Sequence, residues 1–445
     1  MNLMLFDTIA AISTAAVDGA ISIIRLSGSE AIDIVNKMVR GDIHQQKSHT
    51  ITYRFLIDPV TQEEIDEVLV SVFKAPKTYT CEDVVELNCH GGRFLTKRIL
   101  EIVLSLGARL ARPGEFTQRA YLNGRIDLTQ AEAVNDIISS QSMESAKLAV
   151  KGVKGSVKAL LNPLIDSLLD IIANIEVNID YPEYDDVEQL TNETILPKIQ
   201  VWLKDIDDIL KRAQSTMLVK EGIKTVIIGK PNVGKSSLLN ALLEEEKAIV
   251  SDVAGTTRDI VEGRIQLDGF ALHLIDTAGL HESDDIVEKI GMERSLKALE
   301  DAQLVIFMLD ASTSRDEDEQ ALLEQTKDHT RIVVYNKADL AQVEDGIAIS
   351  AKDGNIQPLL DEIHRLFDNK LVQMQPSLAN ERQISLMKKA YYAMLHAQEA
   401  LEFGMELDIV AIDIQNAYTS LKEILGEVHR EDLLDALFSN FCLGK

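Results

Sequence analysis

The stretch from Thr225 to Leu239, TVIIGKPNVGKSSLL, constrains this chain more than any other. Val226, Ile227 and Ile228 predict a short buried strand, and Gly229, Gly234, Lys235 and Ser236 follow in the order GxxxxGKS. Glycines at that spacing let successive backbone N–H groups turn inward at a helix N-terminus and cradle a phosphate. Lys235 in such a loop reaches the terminal phosphates, and the Ser236 hydroxyl ligates Mg²⁺. Strand, loop and helix in succession imply a doubly wound sheet with nucleotide at the strand C-termini.

Further stretches follow in order. Gly255-Thr256-Thr257-Arg258-Asp259 supplies a threonine to close over the γ-phosphate and bind Mg²⁺. Leu274 to Gly279 is a strand ending in Asp276, aimed at the Mg²⁺ shell, with Thr277, Ala278 and a glycine N–H for the γ-phosphate. Val333 to Asp339 ends a strand in Asn336-Lys337-Ala338-Asp339, where the carboxylate of Asp339 accepts both N1 and N2 protons of guanine. Adenine presents a different edge and leaves polar groups unpaired, so GTP is selected over ATP. Ser350, Ala351 and Lys352 brace the base. The candidate nucleotide contacts therefore also include Asn232, Val233 and Ser237 in the loop and Ser251, Asp252, Val253 and Ala254 ahead of Gly255. Five motifs in order define a GTPase segment.

At 445 residues the chain has room for about three domains. Acidic residues outnumber basic ones 72 to 45, a net charge of -27, so any RNA contact needs a local patch. Cys81, Cys89 and Cys442 form no CxxC pair, which argues against a disulfide framework or zinc site. No apolar run is long enough for a membrane span, and the first residues lack a basic n-region; a cytoplasmic protein is expected.

Residues 1 to about 120 read as mixed α/β, with strands at Ala20–Arg25 and Val68–Phe73 and helices at Ser29–Met38 and Arg93–Leu106. Glu82 to Gly92 is a strand leading into a Gly-Gly turn, either an anion-facing turn or a plain strand–helix joint. Arg93 to Arg125 is the most basic window of the chain; it is either a solvated helix face or a landing site for phosphate or a polycarboxylate.

Beyond Leu128 the pattern is helical. Val157, Leu161, Leu164, Leu168, Ile171 and Ile175 form one heptad-like seam, with Pro163 a candidate kink, and a second helix is expected from about Asp186 to Lys220. Val410, Ile414, Ala417, Leu421 and Ile424 continue the pattern after the nucleotide segment. One helical bundle made from two segments accounts for both seams, with the GTPase domain inserted between them; part of a seam is alternatively a dimer face. Arg264 to Leu274 alternates around Asp-Gly, a hairpin that adds an antiparallel edge strand. Asp316 to Glu319 reads as an acidic surface loop.

Two departures bear on mechanism. Leu280 stands where many GTPases carry a water-orienting glutamine. Asn232 is either a loop-stabilising amide or a ligand for a monovalent cation, K⁺, lying where an arginine finger would otherwise act.

The whole chain resembles the MnmE (TrmE) tRNA-modification GTPases. The marks are GKPNVGKS at Gly229–Ser236, SDVAGTTRD at Ser251–Asp259, ARPGEFT at Ala111–Thr117 and the terminal FCLGK at Phe441–Lys445; the GTPase motifs alone also fit Era and EngA relatives. The resemblance implies an α/β N-terminal folate-binding and dimerisation domain (residues 1–119), an all-α helical domain in two segments (120–220 and 377–445) and an inserted Ras-like α/β GTPase domain (221–376). It implies a homodimer that, with the flavoprotein MnmG (GidA) in a heterotetramer or larger complex, installs an aminomethyl or carboxymethylaminomethyl group at C5 of the wobble uridine of certain tRNAs. The one-carbon donor it implies is 5,10-methylenetetrahydrofolate or a related folate, held by Arg25, Glu86, Arg125 and Lys445. By the same resemblance Asn232, Ser251, Val253 and Thr256 hold K⁺, Ser236 and Thr257 hold Mg²⁺, Glu288 orients the attacking water and Cys442 has a functional role. The competing expectation is a regulatory Era-like GTPase whose other domains are a ribosome- or tRNA-binding scaffold.

Overall fold

The computed structural model describes residues 7–140, 142–180, 192–244, 263–267, 271–274, 299, 302–341, 343, 346–367, 377–428, 437–438, 441 and 444. Their contacts divide the chain into two compact units: residues 1–139, 150–173 and 414–445 in one, 140–149 and 174–413 in the other.

The first unit is built on β1 (Ile9–Ile12), β2 (Ile21–Ser27), α1 (Ala31–Asn36), β3 (Thr50–Ile57), β4 (Glu64–Phe73), β5 (Val84–His90), α2 (Arg93–Ser105), β6 (Arg109–Leu110), α3 (Glu115–Leu122) and α4 (Leu128–Ser139). The strands lie in the order β3-β4-β5-β2-β1-β6, antiparallel except for β1 with β6. Because side chains alternate along a strand, Ile24, Leu26, Val70, Val72, Val85 and Leu87 face one way and bury with Ile34, Val35, Ile99 and Val103 of α1 and α2. The opposite face carries Arg25, Glu86 and Phe73, covered near β1 by Phe116 of α3 packed on Ile9 and Ala11. Farther out on that face Ile21, Ile51, Tyr53 and Leu69 are exposed.

The Gly-Gly turn is a strand–helix joint. A Cβ on Gly91 would lie 2.4 Å from the Gly19 carbonyl oxygen, and the N-terminus of α2 is satisfied from within, the Arg93 N–H donating to Asp18 Oδ1 at 3.0 Å. The basic window is likewise largely spent internally. Arg98 pairs with Asp58, Arg109 with Asp7 and Glu115, and the buried Arg119 with Asp7, Glu82 and Glu115. Burial pushes the Glu115 carboxyl up, but hydrogen bonds from Arg109 and the Arg112 N–H outweigh it and hold the group below its ordinary 4.5. A carboxyl depressed by folding stabilises fully above its unfolded value and loses that contribution as pH falls through the folded one. Glu115→Gln is therefore expected to cost this unit about 3 kcal/mol near neutrality. It is also expected to flatten the acid limb, read as hydrogen-exchange protection of β1 and α3 amides; an unchanged acid limb would contradict the assignment.

The chain continues through α5 (Met143–Val153), α6 (Ser156–Asp180) and α7 (Asn192–Glu221). The whole expected seam from Val157 to Ile175 is buried, and α6 runs unbroken past Pro163. The second unit then holds β7 (Ile223–Ile228), α8 (Lys235–Glu244), β8 (Gly263–Gln266), β9 (Ala271–Leu274), β10 (Leu304–Asp310), α9 (Glu317–Gln325), β11 (Arg331–Asn336), β12 (Ile347–Ala348), α10 (Gln357–Phe367) and α11 (Glu381–Glu402). A further helix, α12 (Leu407–Leu425), buries the seam from Val410 to Ile424 completely.

In the nucleotide segment the sheet order is β12-β11-β10-β7-β9-β8, parallel throughout except for β8, which pairs antiparallel with β9 at the edge as the hairpin pattern predicts. Apolar side chains fill both faces, as a parallel sheet covered by helices requires. In the same unit α7 packs on α11, and each helix buries a seam, Ile195, Ile199, Trp202, Ile206 and Ile209 in α7 and Met387, Ala390, Met394 and Ala397 in α11. Asp316 to Glu319 is not a loop. Asp316 caps α9 by accepting from the Glu319 N–H, and the Glu319 carboxylate accepts from the Asp316 N–H, a reciprocal capping box.

Candidate functional site

β7 ends at Ile228, and residues 229–234 turn the chain into α8. Two positions take left-handed backbone, Asn232 at φ +62° and Gly234 at φ +97°. A Cβ on Gly234 would stand 2.2 Å from Asn336 Nδ2, and one on Gly229 2.5 Å from the Met308 carbonyl oxygen. Gly229 is thus demanded by close approach, and Gly234 by close approach and dihedral angle together. Lys235 arches back over the loop, its Nζ donating to the carbonyls of Gly229 and Lys230 at 2.8 Å each. Ser236 and Ser237 open α8, where backbone N–H groups and the helix dipole favour an anion.

The strand that ends in Asn336 brings the base-reading motif to this loop. Asn336 is buried; its Nδ2 donates to the Val233 carbonyl at 2.8 Å and its Oδ1 accepts from the Ala351 N–H at 3.0 Å. One side chain therefore staples phosphate loop, base-reading strand and bracing segment together. Ser350 Oγ lies 2.7 Å from Asp353 Oδ2 and 3.1 Å from Asp339 Oδ1, so its single proton serves one of the two carboxylates at a time, and the Ala338 N–H donates to the Ile349 carbonyl. Lys337, at φ +63°, pairs with Asp310 at 2.6 Å, and Lys352 lies in the 3₁₀ turn that follows Ser350. Lys230 of the loop pairs with Asp316, the α9 cap. Asn232 is exposed, and among the described residues its amide has no hydrogen-bond partner. Ser251, Asp252, Val253, Ala254, Gly255, Thr256, Thr257, Asp276, Thr277, Ala278, Gly279 and Glu288 lie outside the described residues, as do Cys442 and Lys445.

In the first unit a cavity of about 660 Å³ is lined by Arg25, Glu86 and Arg125 together with Phe73, Lys77 and Tyr79. Arg25 and Glu86 are direct neighbours across β2 and β5, with Arg25 Nε donating to Glu86 Oε1 at 2.8 Å. The Arg25 guanidinium also lies over the Phe116 ring and donates to the Gly444 carbonyl at 3.2 Å, a carbonyl that Ser13 Oγ binds as well. Arg125 lies over the Tyr79 ring at 4.8 Å, and the Tyr79 hydroxyl bonds Thr117. Asn123 Nδ2 donates to the Thr80 carbonyl at 2.6 Å and ties the end of α3 to the loop that carries Tyr79. The C-terminal segment seats here too. Phe438 and Phe441 bury with Tyr121 and Leu128, and a Cβ on Gly114 (φ +68°) would strike Phe441 Cβ at 2.7 Å. Two sequence-distant signatures, around Gly114 and Phe441, are thus two halves of one contact.

The largely parallel sheet, with its stapled phosphate loop and the Asn336-Lys337-Ala338-Asp339 strand end, defines a P-loop GTPase, a GTP hydrolase joined to an α/β N-terminal domain and an all-α domain split in sequence. Residues 8–125 match the family model described as GTP-binding protein TrmE N-terminus, and residues 128–442 match that of the MnmE helical domain. The chain is 47% identical over 452 residues to the tRNA modification GTPase MnmE of Streptococcus pneumoniae (strain Hungary19A-6), covering 99% of each chain. Identity and coverage are the same for the proteins of that name from Streptococcus agalactiae serotype III and Streptococcus pyogenes serotype M2. A crystal structure of an Aquifex aeolicus Era variant bound to GDP·AlF4⁻ is 25% identical, covering 39% of this chain and 67% of that one with a TM-score of 0.26. The chain belongs to the MnmE family of tRNA modification GTPases.

Proposed function

We propose that this chain is the K⁺-activated GTPase of a wobble-uridine modification system. With the flavoprotein MnmG (GidA) and a folate one-carbon donor such as 5,10-methylenetetrahydrofolate, it would install an aminomethyl or carboxymethylaminomethyl group at C5 of the wobble uridine of certain tRNAs in the cytoplasm. The observation that carries this reading is the cavity. It gathers three of the four residues expected to contact folate, and the segment leading to the fourth is bound by Arg25 through Gly444. The Arg25–Glu86 pair offers donors and an acceptor to a heterocyclic edge, Phe73 and Tyr79 offer apolar faces, and Arg125 offers charge to a carboxylate.

In the GTPase domain Lys235 would bind the terminal phosphates, and Ser236 with Thr257 would hold Mg²⁺. The amide oxygen of Asn232 suits K⁺, together with Ser251, Val253 and Thr256; in that place the ion supplies positive charge against the charge that builds on the phosphates. Glu288 would orient the attacking water in place of the glutamine that Leu280 replaces. The uncovered sheet face carrying Ile21, Ile51, Tyr53 and Leu69 supports a homodimer through the N-terminal domains. We assign residues 1–119 to that domain, 120–220 and 377–445 to the helical domain, and 221–376 to the GTPase. No helix among the described residues is long and apolar enough to cross a membrane.

Deleting Cys442 to Lys445 tests the reading. GTP hydrolysis is expected to stay within about twofold of the parent and wobble-uridine modification to vanish. Unchanged modification would favour a scaffold whose only chemistry is nucleotide hydrolysis.

A further inference from the structure

We propose that Lys77 and Arg125 form a rim that binds the poly-γ-glutamyl tail of the folate, so that the cavity selects polyglutamylated folates over the monoglutamate. This rests on the folate reading of the cavity. Of its ionisable lining residues, the one acid is Glu86, and Arg25 already engages it at 2.8 Å. Lys77 and Arg125 are both exposed, and among the described residues neither has a carboxylate partner. In the same unit Arg98, Arg109 and Arg119 are spent on acids, whereas Lys77 and Arg125 of this cavity keep their charge for a ligand.

The rim is also held in place. Arg125 rests on the Tyr79 ring, and Tyr79 is anchored by Thr117. The loop carrying Lys77 is tied on both sides, the Ala75 N–H donating to Asp83 Oδ1 at 2.8 Å and Thr78 Oγ1 donating to the Glu82 carbonyl at 2.6 Å. Two exposed cations each gain little from one carboxylate in water. Each added γ-linked glutamate brings a further carboxylate on the same tether, so a long tail keeps both cations engaged at high effective concentration. The Arg25–Glu86 pair is half-buried and Lys77 and Arg125 are exposed, so a ligand with its head at the pair would extend its tail toward the rim.

The test is equilibrium binding of tetrahydrofolate monoglutamate and pentaglutamate to the full-length protein, to Lys77→Gln and to Lys77→Arg, at low and high KCl. The pentaglutamate is expected to bind about tenfold tighter than the monoglutamate, with the advantage shrinking as salt rises. Lys77→Gln is expected to bring the ratio to within about twofold of one, and Lys77→Arg to restore it. Equal affinities for the two forms in the parent protein, or a ratio untouched by Lys77→Gln, would overturn the proposal and leave the folate reading standing. Failure of both forms to bind would remove the folate reading and this proposal with it. If Lys77→Gln weakened tRNA binding while the glutamate-length ratio stayed the same, the rim would belong to RNA phosphates, and the proposal would again be overturned.

Discussion

Gly234→Ala is expected to lower GTP affinity about a thousandfold and to remove hydrolysis at ordinary GTP concentrations. A methyl group there would sit 2.2 Å from Asn336 Nδ2, on a residue whose φ of +97° alanine does not adopt without strain. Relief comes only if the phosphate loop shifts or Asn336 lets go of the Val233 carbonyl and the Ala351 N–H, leaving buried polar groups unpaired. Strain and one lost buried partner together cost about 4 kcal/mol, close to a thousandfold. The measurement is titration of the full chain with a fluorescent GTP analogue. Affinity within tenfold of the parent would mean that the staple through Asn336 does not shape the loop.

Asn232→Gly is expected to keep nucleotide affinity yet lower the K⁺-stimulated rate about a hundredfold, and Asn232→Ala to lower the rate as much. The glycine variant separates two accounts of the same residue. Asparagine is one of the few side chains at ease at φ +62°, so Asn232 is explained equally well by backbone comfort or by its amide oxygen. Glycine adopts that angle more readily and removes the amide. The readout is turnover in KCl against NaCl. Stimulation by K⁺ that survives in the glycine variant would assign Asn232 to loop geometry alone.

The parts legible in the sequence were those whose chemistry is local. The phosphate loop is a run of neighbours with fixed backbone demands, and the hairpin at Arg264–Leu274 and the seams at Val157 and Val410 are periodicities within single elements. Asp316 to Glu319 is equally local, yet an acidic run looks like a solvated loop while the Asp-x-x-Glu spacing ahead of a helix is a capping box. The α7–α11 seam carries the same helical spacing, but pairing its halves needs two stretches separated by the whole GTPase segment. The role of Asn336 as a staple, the Tyr79 platform under Arg125 and the fit of Gly114 to Phe441 all rest on contacts across long stretches of chain. No single-sequence spacing encodes them. The basic window shows the converse limit, because its charge was plain but the acids that consume it, Asp7, Asp58, Glu82 and Glu115, mostly lie elsewhere in the chain.

The central claim is that one chain joins GTP cleavage to one-carbon transfer onto tRNA. It is tested most directly by following an isotopic label from the methylene carbon of 5,10-methylenetetrahydrofolate into tRNA, with the flavoprotein partner present. Label is expected in the wobble uridine only when GTP and K⁺ are both supplied, and it is expected to be absent with a non-hydrolysable GTP analogue. Label incorporated equally with the analogue, or modified uridine formed with no label in it, would contradict the account.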